Sequence, residues 1–107
     1  MSSIPPLPSY IKDTKFIILA TITVQDDQTD QIKSKLLNIQ KKAKSDEEPG
    51  TLSYRVHQSF ETPNKFTIYE EYENKSGLES HLKSTEFQDL MKLQSSFSLD
   101  STFLQEL

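Results

Sequence analysis

The chain has 107 residues, 34% of them apolar, and a mean hydropathy of −0.61, enough for one core and too little for two. A net charge of −4 and a pI near 5.1 exclude a general nucleic-acid surface, which needs a clustered basic face. The absence of cysteine excludes disulfide frameworks, thiolate metal sites and cysteine nucleophiles.

The opening MSSIPPLPSY has neither a basic region nor a continuous apolar segment, so no secretory signal is expected. Pro5, Pro6 and Pro8 favour extended backbone, and residues 1–15 are predicted to be a flexible Pro-rich arm before a single domain spanning 16–107. Phe16 to Val24 is the longest apolar run, but threonines interrupt it, and it is far shorter than the roughly 20 residues a membrane helix needs. A cytoplasmic protein with no membrane partner is expected.

That run reads as the first strand, its β-branched residues suited to a pleated surface and Ile18, Ala20, Ile22 and Val24 on one face. Asp26 and Asp27 offer N-cap oxygens. Ile32, Leu36, Leu37, Ile39 and Ala43 then recur at helical spacing, predicting an amphipathic helix that ends near Ser45. The lysines at its end, Lys41, Lys42 and Lys44, suit the helix dipole and a solvated face.

Pro49-Gly50 breaks the chain, and two alternating stretches follow, Thr51 to Phe60 and Phe66 to Asn74, with the turn cluster Glu61 to Lys65 between them. A five-residue loop would put Phe60 opposite Phe66, Tyr54 opposite Tyr72, Val56 opposite Glu70 and Arg55 opposite Glu71. One face then carries Leu52, Tyr54, Val56, Gln58, Phe60, Phe66, Ile68, Glu70 and Tyr72, apolar enough to take helices. The other carries Ser53, Arg55, His57, Ser59, Thr67, Tyr69, Glu71 and Glu73.

Ser76 followed by Glu79 has the form of a capping box, opening a helix with Leu78, His81 and Leu82 on one face. A second helical piece, about Thr85 to Ser95, turns Phe87, Leu90 and Met91 inward, and Phe97 to Leu107 has the weak alternation of a last strand. The order β-α-β-β-α-β predicts an α+β, ferredoxin-like split βαβ fold with a four-stranded antiparallel sheet. Helices cover one face of such a sheet, so the other meets solvent or a second subunit.

With that order, the segments EPGTLSY at Glu48 to Tyr54, F-x-x-Y-E-x-Y at Phe66 to Tyr72 and GLESHLKSTEF at Gly77 to Phe87 resemble the antibiotic biosynthesis monooxygenase family of dimeric α/β barrels. The resemblance implies a homodimer whose two sheets close into a barrel, here through the face bearing Arg55, His57, Tyr69 and Glu71. It also implies oxidation of quinols, anthrones or related aromatics by O2, generally with no flavin or metal, so no cofactor is expected. Other relatives isomerise or degrade small metabolites. The haem-degrading branch resembles the chain around Gly77 to Met91, but has a tryptophan where His81 stands and a histidine ligand where Met91 stands. Haem degradation is therefore not expected.

Such an oxygenase needs a dry pocket, a base and donors for a developing oxyanion. His81 is the expected base or orienting donor, since imidazole titrates near neutral pH. Tyr54 and Tyr72 would polarise substrate oxygens, and Glu70 would orient His81 or a tyrosine hydroxyl. Phe66, Ile68, Phe87 and Met91 would line the pocket. The same four polar residues can instead satisfy one another as a buried network. His57 falls on the other face, toward a partner subunit, and two histidines without cysteine make a weak case for a metal.

A cofactor-independent monooxygenase for a small quinol- or anthrone-like aromatic is thus the leading expectation. The alternative is a non-catalytic dimeric module that binds small molecules or is associated with stress. An isomerase or lyase for a phosphorylated metabolite would need a basic pocket, and Arg55, the one arginine, is placed on the opposite face.

Overall fold

Strand β1, Phe16–Val24, alternates as its sequence predicts, with Ile18, Ala20, Ile22 and Val24 buried on one side. The computed structural model describes residues 7–107, so Pro5 and Pro6 of the expected arm lie outside the described residues. Within the arm Ile11 is buried against the core.

β1 lies at the centre because it can bury both of its edges. It pairs with β3 (Lys65–Tyr72) on one side and β4 (Phe97–Leu104) on the other, while β2 (Thr51–Gln58) pairs with β3. All pairs are antiparallel, in the order β2-β3-β1-β4. With helices α1 (Thr29–Ala43), α2 (Lys75–Leu82) and α3 (Thr85–Met91), this is the ferredoxin-like α+β fold read from the chain order. Among the described residues no helix is long and apolar enough to cross a membrane.

α1 lays Ile32, Leu36, Ile39 and Ala43 on the sheet, the spacing of one helical face. Leu37, counted in that stripe from sequence, sits about 100° round from Leu36 and is 46% exposed. Asp26 and Asp27 form a 3-10 turn instead of capping the helix through their side chains.

The hairpin register differs from the expected one. β2 ends at Gln58, and the pairs are Gln58 with Phe66, Val56 with Ile68, Arg55 with Tyr69 and Tyr54 with Glu70. The turn takes up the missing residues. The Ser59 N–H donates to the Lys65 carbonyl at 3.0 Å, and Ser59 Oγ accepts from the Thr62 N–H at 3.0 Å, which leaves Phe60 in solvent. A shift of two residues keeps each side chain on its own face. Phe66, Ile68, Glu70, Tyr72 and Tyr54 are accordingly all buried under the helices. Leu52, beside an irregularity between Thr51 and Ser53, is half exposed, and Gln58 at the end of β2 is exposed.

α2 starts two residues earlier than expected. Asn74, extended in backbone, accepts the Gly77 N–H on its Oδ1 at 3.0 Å and so replaces Ser76 as the cap. Ser84 caps α3 through the Phe87 N–H at 3.1 Å.

Candidate functional site

β3 presents Glu70 and Tyr72 two residues apart on the helix-facing side, and the Tyr72 hydroxyl donates to Glu70 Oε1 at 2.6 Å. Tyr54 of β2 stands beside Glu70 as its partner across the strands. From above, α2 lowers His81 into this layer. Its ring lies 5.1 Å from that of Tyr54, 5.6 Å from Tyr72 and 5.7 Å from Phe87, centroid to centroid.

His81 is held by a residue that the sequence reading did not single out. Its Nδ1 donates to Glu48 Oε1 at 2.8 Å, both side chains being buried. The Thr51 hydroxyl donates to the same oxygen at 3.0 Å, while Glu48 Oε2 is buried with no hydrogen-bond partner among the described residues. Glu48 reaches His81 because the Pro49-Gly50 turn presses directly on the first turn of α2. A Cβ on Gly50 would lie 2.7 Å from the Gly77 Cα, and one on Gly77 would lie 2.6 Å from the Gly50 oxygen. No other residue fits at either place. The one sequence signal for Glu48 is its position at the head of the EPG turn.

Burial sets the protonation of the group. It pushes the Glu70 carboxyl above its ordinary value, against the opposing charge of His81 and the Tyr72 hydrogen bond. Burial raises the phenols of Tyr54 and Tyr72 well above theirs, reinforced by the Glu70 charge, so both remain hydrogen-bond donors. For Glu48 burial also opposes ionisation, but the hydrogen bond and charge of His81, helped by Thr51 and Lys42, hold the carboxyl below its ordinary value.

A cavity of about 370 Å³ opens between the sheet and the helices. Of the expected residues, Tyr54, Glu70, Ile68, Phe87 and Met91 are on its wall. Phe66, Tyr72 and His81 are not; they lie in the packing behind it. His81, expected to face a substrate, is 1% exposed and enclosed by rings and Glu48. The wall is otherwise carbon, completed by β4 through Phe97, Leu99 and Phe103 and by Leu7 and Pro8 of the arm. Glu70, Tyr54 and Ser101 supply its polar side chains.

Two other hollows are surface features lined by charge. One lies between α1 and α3 beside Lys35, Lys42, Glu86 and Asp89, and the other beside Lys44 and Asp46. His57 sits on the opposite sheet face, exposed, with Nδ1 3.0 Å from the Thr67 carbonyl. Among the described residues no group of three His, Cys, Asp or Glu is arranged to hold a metal ion.

The family model for antibiotic biosynthesis monooxygenases matches residues 15–93. Among solved structures, a protein from Pseudomonas aeruginosa is similar with a TM-score of 0.80 and 21% identity, over 88% of this chain and 95% of that one. A Nitrosomonas europaea protein, named provisionally as an antibiotic biosynthesis monooxygenase, is similar with a TM-score of 0.78 and 17% identity, over 92% and 95%. A Mycobacterium tuberculosis protein gives 0.78 and 16%, over 88% and 96%. At these identities the likeness is one of fold. No curated protein matches the sequence.

Proposed function

We propose, for a chain that belongs to the antibiotic biosynthesis monooxygenase family, that it oxidises a small quinol- or anthrone-like aromatic with O2, using Glu70 as the base. One observation carries this reading. Glu70 is a carboxyl raised above its ordinary value, on the wall of an otherwise apolar cavity of about 370 Å³. That volume is at the lower end of the roughly 300–1,000 Å³ of small-molecule sites.

The substrate supplies the electrons. Ionised Glu70 takes a proton from an activated C–H or phenolic O–H, for which a carboxyl with a raised pKa is the better-matched base. The resulting carbanion passes one electron to O2, and the radical pair joins to form a C–O bond. The peroxide anion so formed takes the proton back from Glu70 to give the hydroperoxide. The Glu70 carboxylate then removes the second C–H proton as the O–O bond breaks, and that proton leaves with the departing hydroxide as water. For an anthrone the balance is CH2 plus O2 to C=O plus H2O. Tyr54, a protonated phenol on the same wall, donates to the oxygen on which charge develops. Tyr72 holds the Glu70 carboxylate in place from behind.

This assigns the base to Glu70 and gives His81 a positioning role, since Glu70 reaches the cavity and His81 does not. The same fact supports the alternative of a binding module, in which Glu48, His81 and Tyr72 are a structural network. Pairing of two copies through the face of Arg55, His57, Tyr69 and Glu71 belongs to the proposal. Leu19 and Leu104, 39% and 42% exposed on that face, support it.

Oxygen uptake with a panel of hydroquinones and anthrones, chelator present, tests the reading. Turnover above autoxidation that collapses in Glu70→Gln is the expected result. No turnover on any member, with each aromatic still bound, would leave the binding module standing.

A further inference from the structure

The register of β1 against β4 explains part of the cavity's shape. Their helix-facing side chains pair as Ile18 with Phe103, Ala20 with Ser101 and Ile22 with Leu99, all on the cavity wall. The outer two pairs are bulky, and the middle one is two small side chains side by side. A trough one pair wide therefore runs across the sheet between Phe103 and Leu99. In a close-packed interior a neighbour would fill such a gap; here it belongs to the cavity.

Ser101 also changes the chemistry of its strand. Phe97, Leu99 and Phe103 give the cavity face of β4 carbon, and Ser101 adds a hydroxyl among them. That hydroxyl is remote from the proposed base. Glu70 stands opposite Ile18, on the other side of β1 from Ser101 and two residues along. Strand spacing and rise then put the two backbones about 12 Å apart. A single ring held at Glu70 falls short of Ser101, whereas linearly fused rings reach it.

Among the described residues neither the Ser101 nor the Tyr54 side chain makes a hydrogen bond, although Tyr54 is only 4% exposed and both line the cavity. A phenol buried to that degree ordinarily has a partner. A ligand lying along the cavity, with an oxygen at each end, would satisfy both hydroxyls.

We propose that Ala20 and Ser101 form a subsite for the ring of the substrate furthest from Glu70, where Ser101 Oγ recognises a hydroxyl or carbonyl on that ring. The proposal rests on the reading of this cavity as the substrate site, and narrows it to a fused-ring aromatic bearing oxygen at both ends. It makes Ser101 a determinant of specificity, because an analogue without the distal oxygen forfeits a bond that the site is built to make.

Equilibrium dialysis of 2-hydroxyanthraquinone, its 2-methyl analogue and the single-ring duroquinone tests this on the full chain, Ser101→Ala and Ser101→Leu. Ser101 is exposed on an edge strand, so both variants should keep the fold, which far-UV melting checks. The full chain should hold the hydroxyl compound about fivefold tighter than the methyl one, the net worth of one hydrogen bond. Ser101→Ala should abolish that preference and leave Kd for the methyl compound unchanged. Ser101→Leu, which fills the trough, should weaken both anthraquinones about tenfold and spare duroquinone. No preference in the full chain, a preference that survives in Ser101→Ala, or undiminished binding by Ser101→Leu would each overturn the subsite. Binding of no quinone by any of the proteins would overturn the cavity as the substrate site and the subsite with it. The expected pattern without oxygen uptake on the matching hydroxyanthrone would support the subsite and overturn the oxidation reading alone.

Discussion

His81 Nδ1 lies 2.8 Å from Glu48 Oε1 across 33 residues of sequence, and this buried pair ties the turn after α1 to the last turn of α2. Among the described residues Glu48 Oε2 has no hydrogen-bond partner, so the carboxylate is held through Oε1 alone, by His81 and by the Thr51 hydroxyl. Removing either partner strands a buried polar group, whereas exchanging both for apolar residues need not. Glu48→Ala should therefore cost about 3 kcal/mol in urea unfolding. The double variant Glu48→Leu, His81→Leu should cost less than the sum of the single changes. Strict additivity would mean that the two side chains do not interact.

The pair also sets a pH dependence. Glu48 has a lowered pKa in the folded chain, so the stability it contributes is present above the ordinary value of 4.5 and is lost as pH falls through the folded value. Glu70 has the opposite sign. Its raised pKa means that ionisation weakens the fold, an effect present at neutral pH and absent once both states are protonated. Glu70→Gln, whose amide oxygen still accepts from Tyr72, should gain about 1 kcal/mol at pH 7, the usual exchange of stability against activity. The gain should vanish on acidification below pH 4. A gain that persists there would place its cause outside ionisation.

Glu70→Gln separates chemistry from binding as well. General-base catalysis is worth about 10²–10⁴-fold, and the change preserves volume, so kcat should fall by that order while Kd for a non-oxidisable quinone stays within about twofold. Loss of both together would mean that Glu70 serves binding.

Gly77 sets two effects against each other. It lies inside α2, where alanine is favoured over glycine by about 1 kcal/mol. The added Cβ would meet the Gly50 carbonyl oxygen at 2.6 Å, a backbone atom that cannot rotate away. Overpacking of this kind costs about 1–3 kcal/mol, so the clash should win and Gly77→Ala should melt lower. It should also lengthen the Glu48–His81 contact, read as a shift of the His81 ring resonances. A higher melting point would mean that the turn yields easily.

Much of this arrangement was legible in the chain, for reasons that particular residues show. Period-two alternation placed Tyr54, Phe66, Ile68, Glu70 and Tyr72 on the helix-facing side even though the expected register was two residues off, because such a shift preserves faces. Phe60 and Leu52 were misjudged where the pattern stops being local, at a turn closed by Ser59 and at an irregularity in β2. Ser76 looked like a cap, yet Asn74 captured the same helix end through Gly77, since several polar residues there compete for the same N–H groups. Glu48 could not be found from periodicity at all. Its role comes from a contact between two glycines far apart in sequence. His81 was recognised as a polar residue on an inner face, but only tertiary packing shows that rings and a carboxylate keep it from the cavity.

The outer sheet face leads to the last expected outcome. Leu19 pairs with Tyr69 across β1 and β3, and Leu104 lies on the same side at the edge of β4, next to Ile17. A sheet face that shows leucines beside Arg55, His57 and Glu71 is mixed in the way that subunit interfaces are, with apolar area inside a charged rim. If two copies meet here, the full chain should sediment as a dimer at micromolar concentration. Leu19→Asp, placing a charge at the centre of the contact with no partner, should weaken association at least a hundredfold. The fold of each copy should survive, because Leu19 is 39% exposed and takes no part in the helix-facing core. A monomer for the unaltered chain would show that this face meets water, and the low apolar content of the sequence would then need no second subunit.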